Sequence, residues 1–195
     1  WFGCGQSPLC DEVNRLVRTG VVVVVAAGNA GYGMVTTADG RQTRTGLSLT
    51  IMDPGNSELA ITVGATDNTD ARAVYSNFGT CVDIFAPGTD ITSSWADSDT
   101  AINTISGTSM ATPHVTGAAA LILAANPGMT PANVAAAMLA AATPNVVGGA
   151  GAGSPNLFLY SAPPASNVPP TIVTTSLPGG GTSTPYSASL GVAAA

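Results

Sequence analysis

The sequence predicts an α/β fold: a three-layer, doubly wound sheet of mostly parallel strands. Three observations carry this expectation. The first is the order helix, glycine, strand. Val13, Leu16 and Val17 recur at helical spacing within Asp11 to Thr19, Gly20 ends the pattern, and Val21 to Ala27 is a β-branched run apolar on both faces. A strand with no polar face belongs in a parallel sheet covered on both sides. The second is Ser106 to Leu123, which opens on small and hydroxyl residues and runs into an uncharged apolar segment. That pattern predicts a helix buried in the middle of a domain. The third is a turn, Asp53-Pro54-Gly55-Asn56, followed by a β-branched strand over Leu59 to Thr66.

Composition narrows the class. The chain has 195 residues, 45% of them hydrophobic and only 8% charged. One α/β domain with something left over fits that length, and its surface must be built from Ser, Thr, Asn, Gly and Ala. A net charge of -6 argues against nucleic acid or an anionic membrane as partner. No apolar run reaches membrane-spanning length. The chain opens on Trp1 with neither Met nor a charged leader region, so we expect an N-terminally truncated domain and draw nothing about export from the missing leader. Of the three cysteines, Cys4 and Cys10 are close enough to staple a short loop; three reduced thiols are the alternative. No C-x-x-C is present, and one histidine is too few for a Cys/His zinc cluster.

Trp1 to Pro8 reads as a strand end and a Gly-rich loop. In the helix that follows, Asp11 and Glu12 occupy the first turn and Arg15 and Arg18 come later, matching the helix dipole. The strand Val21 to Ala27 stops at Gly28-Asn29-Ala30-Gly31, and the carboxyl end of such a strand is where open α/β sheets place ligands. A turn residue is the plainer reading of Asn29. Gly33 to Ser48 is polar, without apolar periodicity, and reads as a surface insertion. Thr108 and Ser109 are natural helix starters, with Pro113 expected in the first turn. Asn126-Pro127 ends that helix, and Thr130 as cap with Pro131 at the first position starts another, Ala132 to Ala142. Gly148 to Gly153 reads as a flexible loop, because no strand and helix flank its glycines. We expect residues 1–162 to form the main domain. Pro163 to Pro170 is an extended linker, and 171–195 has the short β-type runs of the truncated start of an Ig-like segment.

A Ser at the positive end of an apolar helix is ordinarily a cap. The longer string Gly107-Thr108-Ser109-Met110-Ala111-Thr112-Pro113-His114-Val115-Thr116-Gly117 closely resembles the nucleophile motif of the subtilisin-like serine proteases, the subtilases. Val25-Ala26-Ala27-Gly28-Asn29 is similar to a second subtilase segment, and Val74 to Gly79 and Val82 to Gly88 are closest to the proteinase K and aqualysin branch. Ser154 to Tyr160 resembles that branch's closing strand.

The resemblance implies a secreted, extracellular serine endopeptidase acting on polypeptide substrates as a monomer, with no cofactor for the chemistry. Ser109 would be the nucleophile, and Asn29 and the backbone N–H of Ser109 the oxyanion donors. Ala26, Ala27 and Gly28 would wall the substrate pocket, with Gly3 in a strand opposite. Asp53-Pro54 becomes a candidate cis bond. Asp83 matches a carboxylate that holds a structural calcium in part of the branch, a solvated strand-edge Asp being the alternative. Cys81, whose counterpart in relatives is bridged, finds no partner between Asn29 and Leu59 and is expected to be a free buried thiol. The resemblance gives neither the triad His nor its Asp a position here. His114 lies five residues beyond Ser109, about 140° around a helix and roughly 7.5 Å along it, so it is expected to be a packed core histidine. Both missing groups would then lie upstream of Trp1. The other reading, from a different class, is a non-catalytic subtilase-like module that binds peptides or serves as a scaffold.

Overall fold

The computed structural model describes residues 7–31, 33–36, 42–45, 51–161, 171–172 and 192–193. They divide into two units, Trp1–Ser161 and Ala162–Ala195. Within the first, helix α1 (Pro8–Arg18) starts earlier than the periodicity alone predicts. Ser7 caps it, accepting from Cys10 N at 3.1 Å, and Pro8 takes the first helical position, where a missing N–H costs nothing. Its buried face, Cys10, Val13, Asn14 and Val17, is tied to the chain after the turn. Asn14 Oδ1 accepts from Ser57 Oγ at 2.7 Å and from Leu59 N at 3.0 Å.

Strand β1 (Val24–Ala26) follows, then a hairpin of β2 (Gly33–Thr36) and β3 (Gln42–Thr45) inside the polar stretch read as an insertion. The Asp53-Pro54 bond is cis. Strand β4 (Ile61–Thr66) is buried at every residue and pairs in parallel with β1, Val24 opposite Ile61. Strand β5 (Ile84–Pro87) adds in parallel on its other side. A hairpin of β6 (Ile91–Ser94) and β7 (Ile102–Ile105), which the sequence patterning did not reveal, leads into α2 (Thr108–Ala125). Helix α3 (Pro131–Ala141) is capped by Thr130 as expected. Strands β8 (Thr143–Pro144) and β9 (Leu157–Phe158) complete the sheet, whose order is β1-β4-β5-β9-β8 with only β8 antiparallel.

Alternation along β4 and β5 sorts their residues between two cores. Ile61, Val63, Ala65, Ile84 and Ala86 pack against Ala111, Val115 and Ala119 of α2 and Val134 and Met138 of α3. Phe85 faces the other way, into a smaller cluster with Ala27, Val82, Val147 and Ala150. Among the described residues this second cluster is built from strands and loops, with no helical residue in it, where the sequence predicts a third, helical layer. The Gly148 to Ser154 loop is one of those loops. Arg72 N donates to Gly148 O at 2.8 Å, and a Cβ at Gly151 would fall 2.4 Å from Phe78, so this loop is packed down onto the domain.

Three further expectations are corrected. Cys81 is disulfide-bonded, whereas Cys10 is the buried free thiol, its Sγ 2.9 Å from Asn56 Oδ1; the Cys4–Cys10 staple is therefore excluded. Only one face of α2 is buried, through Thr108, Ala111, Val115, Ala118 and Ala119, rather than the whole helix. Pro113 is the sixth residue of α2, in its second turn, so the hydrogen bond it deletes is the one to the Ser109 carbonyl. In the second unit, β10 (Thr171–Ile172) pairs antiparallel with β11 (Val192–Ala193). The linker over 163–170 and most of the Ig-like segment lie outside the described residues.

Candidate active site

The first turn of α2 has donors to satisfy, because a helix begins with N–H groups that no intrahelical carbonyl reaches. Gly107 is the N-cap and brings no side chain to do so. The acceptor comes instead from another element: Asn29, just past the end of β1, takes the Thr108 N–H on its Oδ1 at 2.8 Å. Thr108 Oγ1 donates to the same oxygen at 2.9 Å and accepts from Gly28 N at 3.1 Å. Thr108 is fully buried. Its hydroxyl therefore fastens the end of β1 to the start of α2.

These bonds decide which way the Asn29 carboxamide points. A backbone N–H can only donate, so the oxygen faces Thr108 and the NH₂ group is turned away from it. A Cβ on Gly107 would lie 3.3 Å from Asn29 Nδ2, which locates that NH₂ over the residue two before Ser109. Ser109 is the second helical residue and is exposed, as is Asn29. Its own N–H has no intrahelical acceptor. An alcohol, a peptide N–H and a carboxamide NH₂ thus meet at the positive end of one helix, where negative charge is favoured.

The loop before α2 is braced from behind. Gly107 N donates to Gly88 O at 2.8 Å, and Tyr75 Oη donates to the same carbonyl at 2.8 Å. Burial pushes the Tyr75 phenol up, so it stays a donor. A Cβ at Gly88 would sit 2.6 Å from Ala65 Cβ, so only glycine lets this loop come so close to β4. A cleft of about 400 Å³ opens beside the helix start, between the β6–β7 hairpin and α2, lined by Trp95, Asn103, Ile105, Met110, Pro113 and His114.

Other predicted site residues fall differently. His114 is exposed instead of packed in the core; its Nδ1 is 2.9 Å from Met110 O. Ala27 has 0% exposure, and its carbonyl accepts from Asn77 Nδ2 at 2.8 Å. Ala26 and Gly28 are half-buried and keep surface to offer. Gly3 lies outside the described residues. Asp83 is not a solvated edge residue: Oδ2 accepts from Thr62 N at 2.7 Å, and burial pushes its carboxyl above the ordinary range. Among the described residues no three His, Cys, Asp or Glu side chains converge to hold a metal, and no helix is long and apolar enough to cross a membrane.

A family model described as the subtilase family matches residues 3–160. The chain belongs to the subtilase family. This subtilase chain is 53% identical over 161 residues to an extracellular serine proteinase of Thermus sp. (strain Rt41A), a match covering 82% of the chain and 36% of that protein. It is 45% identical over 156 residues to an alkaline proteinase of Hapsidospora chrysogena, covering 80% of the chain and 35% of the relative. Among solved structures, a cold adapted subtilisin-like serine proteinase superposes with a TM-score of 0.69 at 38% identity, covering 83% of this chain and 53% of that one. The subtilase fold, with its mostly parallel sheet, is thereby shown. The chain spans roughly a third of the length of those two curated relatives.

Proposed function

We propose that this subtilase chain supplies the nucleophile and oxyanion hole of a secreted serine endopeptidase. Ser109 Oγ attacks the carbonyl carbon of a peptide bond, forming an acyl-enzyme as the amine leaves. The oxyanion of the tetrahedral intermediate receives hydrogen bonds from Asn29 Nδ2 and Ser109 N–H at the α2 terminus. The observation that most supports this is the pair of hydrogen bonds from Thr108 to Asn29 Oδ1, which turn the NH₂ outward beside the serine. The name of the Thermus relative supports an extracellular location. The sequence holds a single histidine, His114, whose Nδ1 lies 2.9 Å from Met110 O and which stands five residues beyond Ser109, about 140° around the same helix, so its ring is turned away from the serine. On this reading the general base and its carboxylate would be residues other than those of this sequence.

In the complete enzyme, Ser109→Ala is expected to abolish hydrolysis of a chromogenic peptide, and Asn29→Ala to lower kcat about 10²- to 10³-fold with KM little changed. Turnover retained by Ser109→Ala would reject the nucleophile. A parent protein that binds peptides but has neither base nor turnover would instead be the non-catalytic module.

A structural calcium at Asp83 belongs to the same proposal. What supports one is Asp83 itself: burial makes its charge costly, and its second oxygen has no partner among the described residues. Asp83 would supply the charged ligand, with neutral oxygens completing the shell. The ion would stabilise the fold and take no part in the chemistry.

A further inference from the structure

Asn77 is fully buried, and both ends of its amide bond the short segment that carries Asn29. Its Nδ2 donates to Ala27 O at 2.8 Å and its Oδ1 accepts from Ala30 N at 2.8 Å. Its backbone N donates to Gly28 O at 2.9 Å, and two residues earlier Tyr75 O accepts from Gly31 N at 2.8 Å. Asn29 thus stands between two clamped residues on each side. The fit leaves no slack. Gly28 has φ +102, and a Cβ there would fall 2.4 Å from Asn77 Nδ2; a Cβ at Gly31 would fall 2.5 Å from Ser76 O.

The clamp is itself anchored. Ser76 Oγ accepts from Ala65 N at 2.9 Å, holding the segment to β4, and Arg72 Nη1 donates to Ser76 O at 2.7 Å. The same segment reaches the other half of the site, since Tyr75 Oη shares the Gly88 carbonyl with Gly107 N. One stretch, Tyr75 to Asn77, therefore sets the position of both the Asn29 loop and the loop entering α2.

We infer that Asn77 is a positioning residue for the oxyanion hole, fixing the backbone on either side of Asn29 so that its NH₂ lies where charge develops. The inference rests on the reading of Asn29 as oxyanion donor. Asn77 touches no substrate; it acts through Asn29. A displaced donor costs rate steeply, because an oxyanion hole works by being in place before the charge appears.

The test is a double-mutant cycle in the complete enzyme, with kcat, KM and the Ki of a peptide boronate measured for each variant. Asn77→Ala is expected to lower kcat about 10- to 100-fold and to raise the boronate Ki by a similar factor, with KM within about twofold. In an Asn29→Ala background the same substitution is expected to lower kcat less than about threefold, because the donor it positions is gone. A folded Asn77→Ala enzyme with unchanged kcat, or with the same loss in both backgrounds, overturns the inference and leaves the Asn29 reading intact. An Asn29→Ala enzyme with wild-type kcat overturns the Asn29 reading, and the inference falls with it. If Asn77→Ala does not fold, Asn77→Asp keeps the acceptor for Ala30 and removes only the donor to Ala27, and is read in the same way. Amide exchange of the unsubstituted enzyme needs no variant: slow exchange at Ala30, comparable to β4, supports the clamp, and solvent-like exchange there refutes it.

Discussion

Asn29 and Asp83 illustrate how little a residue's type says without its surroundings. Both are polar residues beside parallel strands, and each has a plain reading from the sequence, a turn and a solvated edge. Asn29 is instead the acceptor that caps a helix from a different element, and that duty orients the half of its amide left over. Asp83 is a carboxylate held partly out of water, accepting from the backbone N–H of Thr62. Burial raises its pKa, so without calcium the folded chain keeps that proton to higher pH than the unfolded chain does. Stability is then expected to fall as pH rises from the ordinary carboxylate range through the folded value, and to be level above it. In chelator, Asp83→Asn should flatten that stretch of the melting temperature against pH. With calcium added, the unsubstituted protein should gain melting temperature and Asp83→Asn should not. A calcium response equal in the two proteins would remove Asp83 from any metal site.

At the scale of elements, the site depends on how α2 is seated. Its buried stripe is made of small residues and one valine, Val115, which lets the helix lie close over β4 and β5. Helix α3 supplies the bulk, with Met138 only 1% exposed in the same core. Met138→Ala should lower unfolding free energy by about 2 to 5 kcal/mol in a denaturant titration. In the complete enzyme the same substitution should lower the temperature at which activity is lost, because α2 carries Ser109. A change under about 1 kcal/mol would mean that the α2–α3 contact can collapse to fill the space.

For the whole molecule, the count of groups decides what the chain can do alone. On the proposed reading it holds Ser109 as nucleophile and the oxyanion donors at one helix terminus, but its single histidine, His114, lies about 140° further around that helix. The 195-residue chain by itself is therefore expected not to turn over a peptide p-nitroanilide. Turnover by this chain alone, stopped by phenylmethylsulfonyl fluoride, would show that a base is present which the geometry does not supply. The acidic, sparsely charged surface is a property of the same scale. It belongs to solubility and to the choice of partner, and neither the fold nor the chemistry follows from it.

What the sequence determined by itself is short in range. Periodicity, caps and turn residues identified α1, α2, α3, β1 and β4 to within a few residues, since each is written in neighbours three to eight positions apart. The motifs around Ser109 and Asn29 were legible for the same reason. The start of α1 is written in the sequence too, as the cap Ser7 followed by Pro8, ahead of the apolar periodicity. Only the tertiary structure decided that Thr108 joins Asn29 across 79 positions, that Asn77 reaches back to Ala27 across 50, and that Ala27 is fully buried. It alone exposed His114 and made Cys81, not Cys10, the disulfide cysteine. Contacts of that span depend on the order and register of β1, β4 and β5, which arise from burial shared by the whole sheet and leave no periodic trace in any one segment.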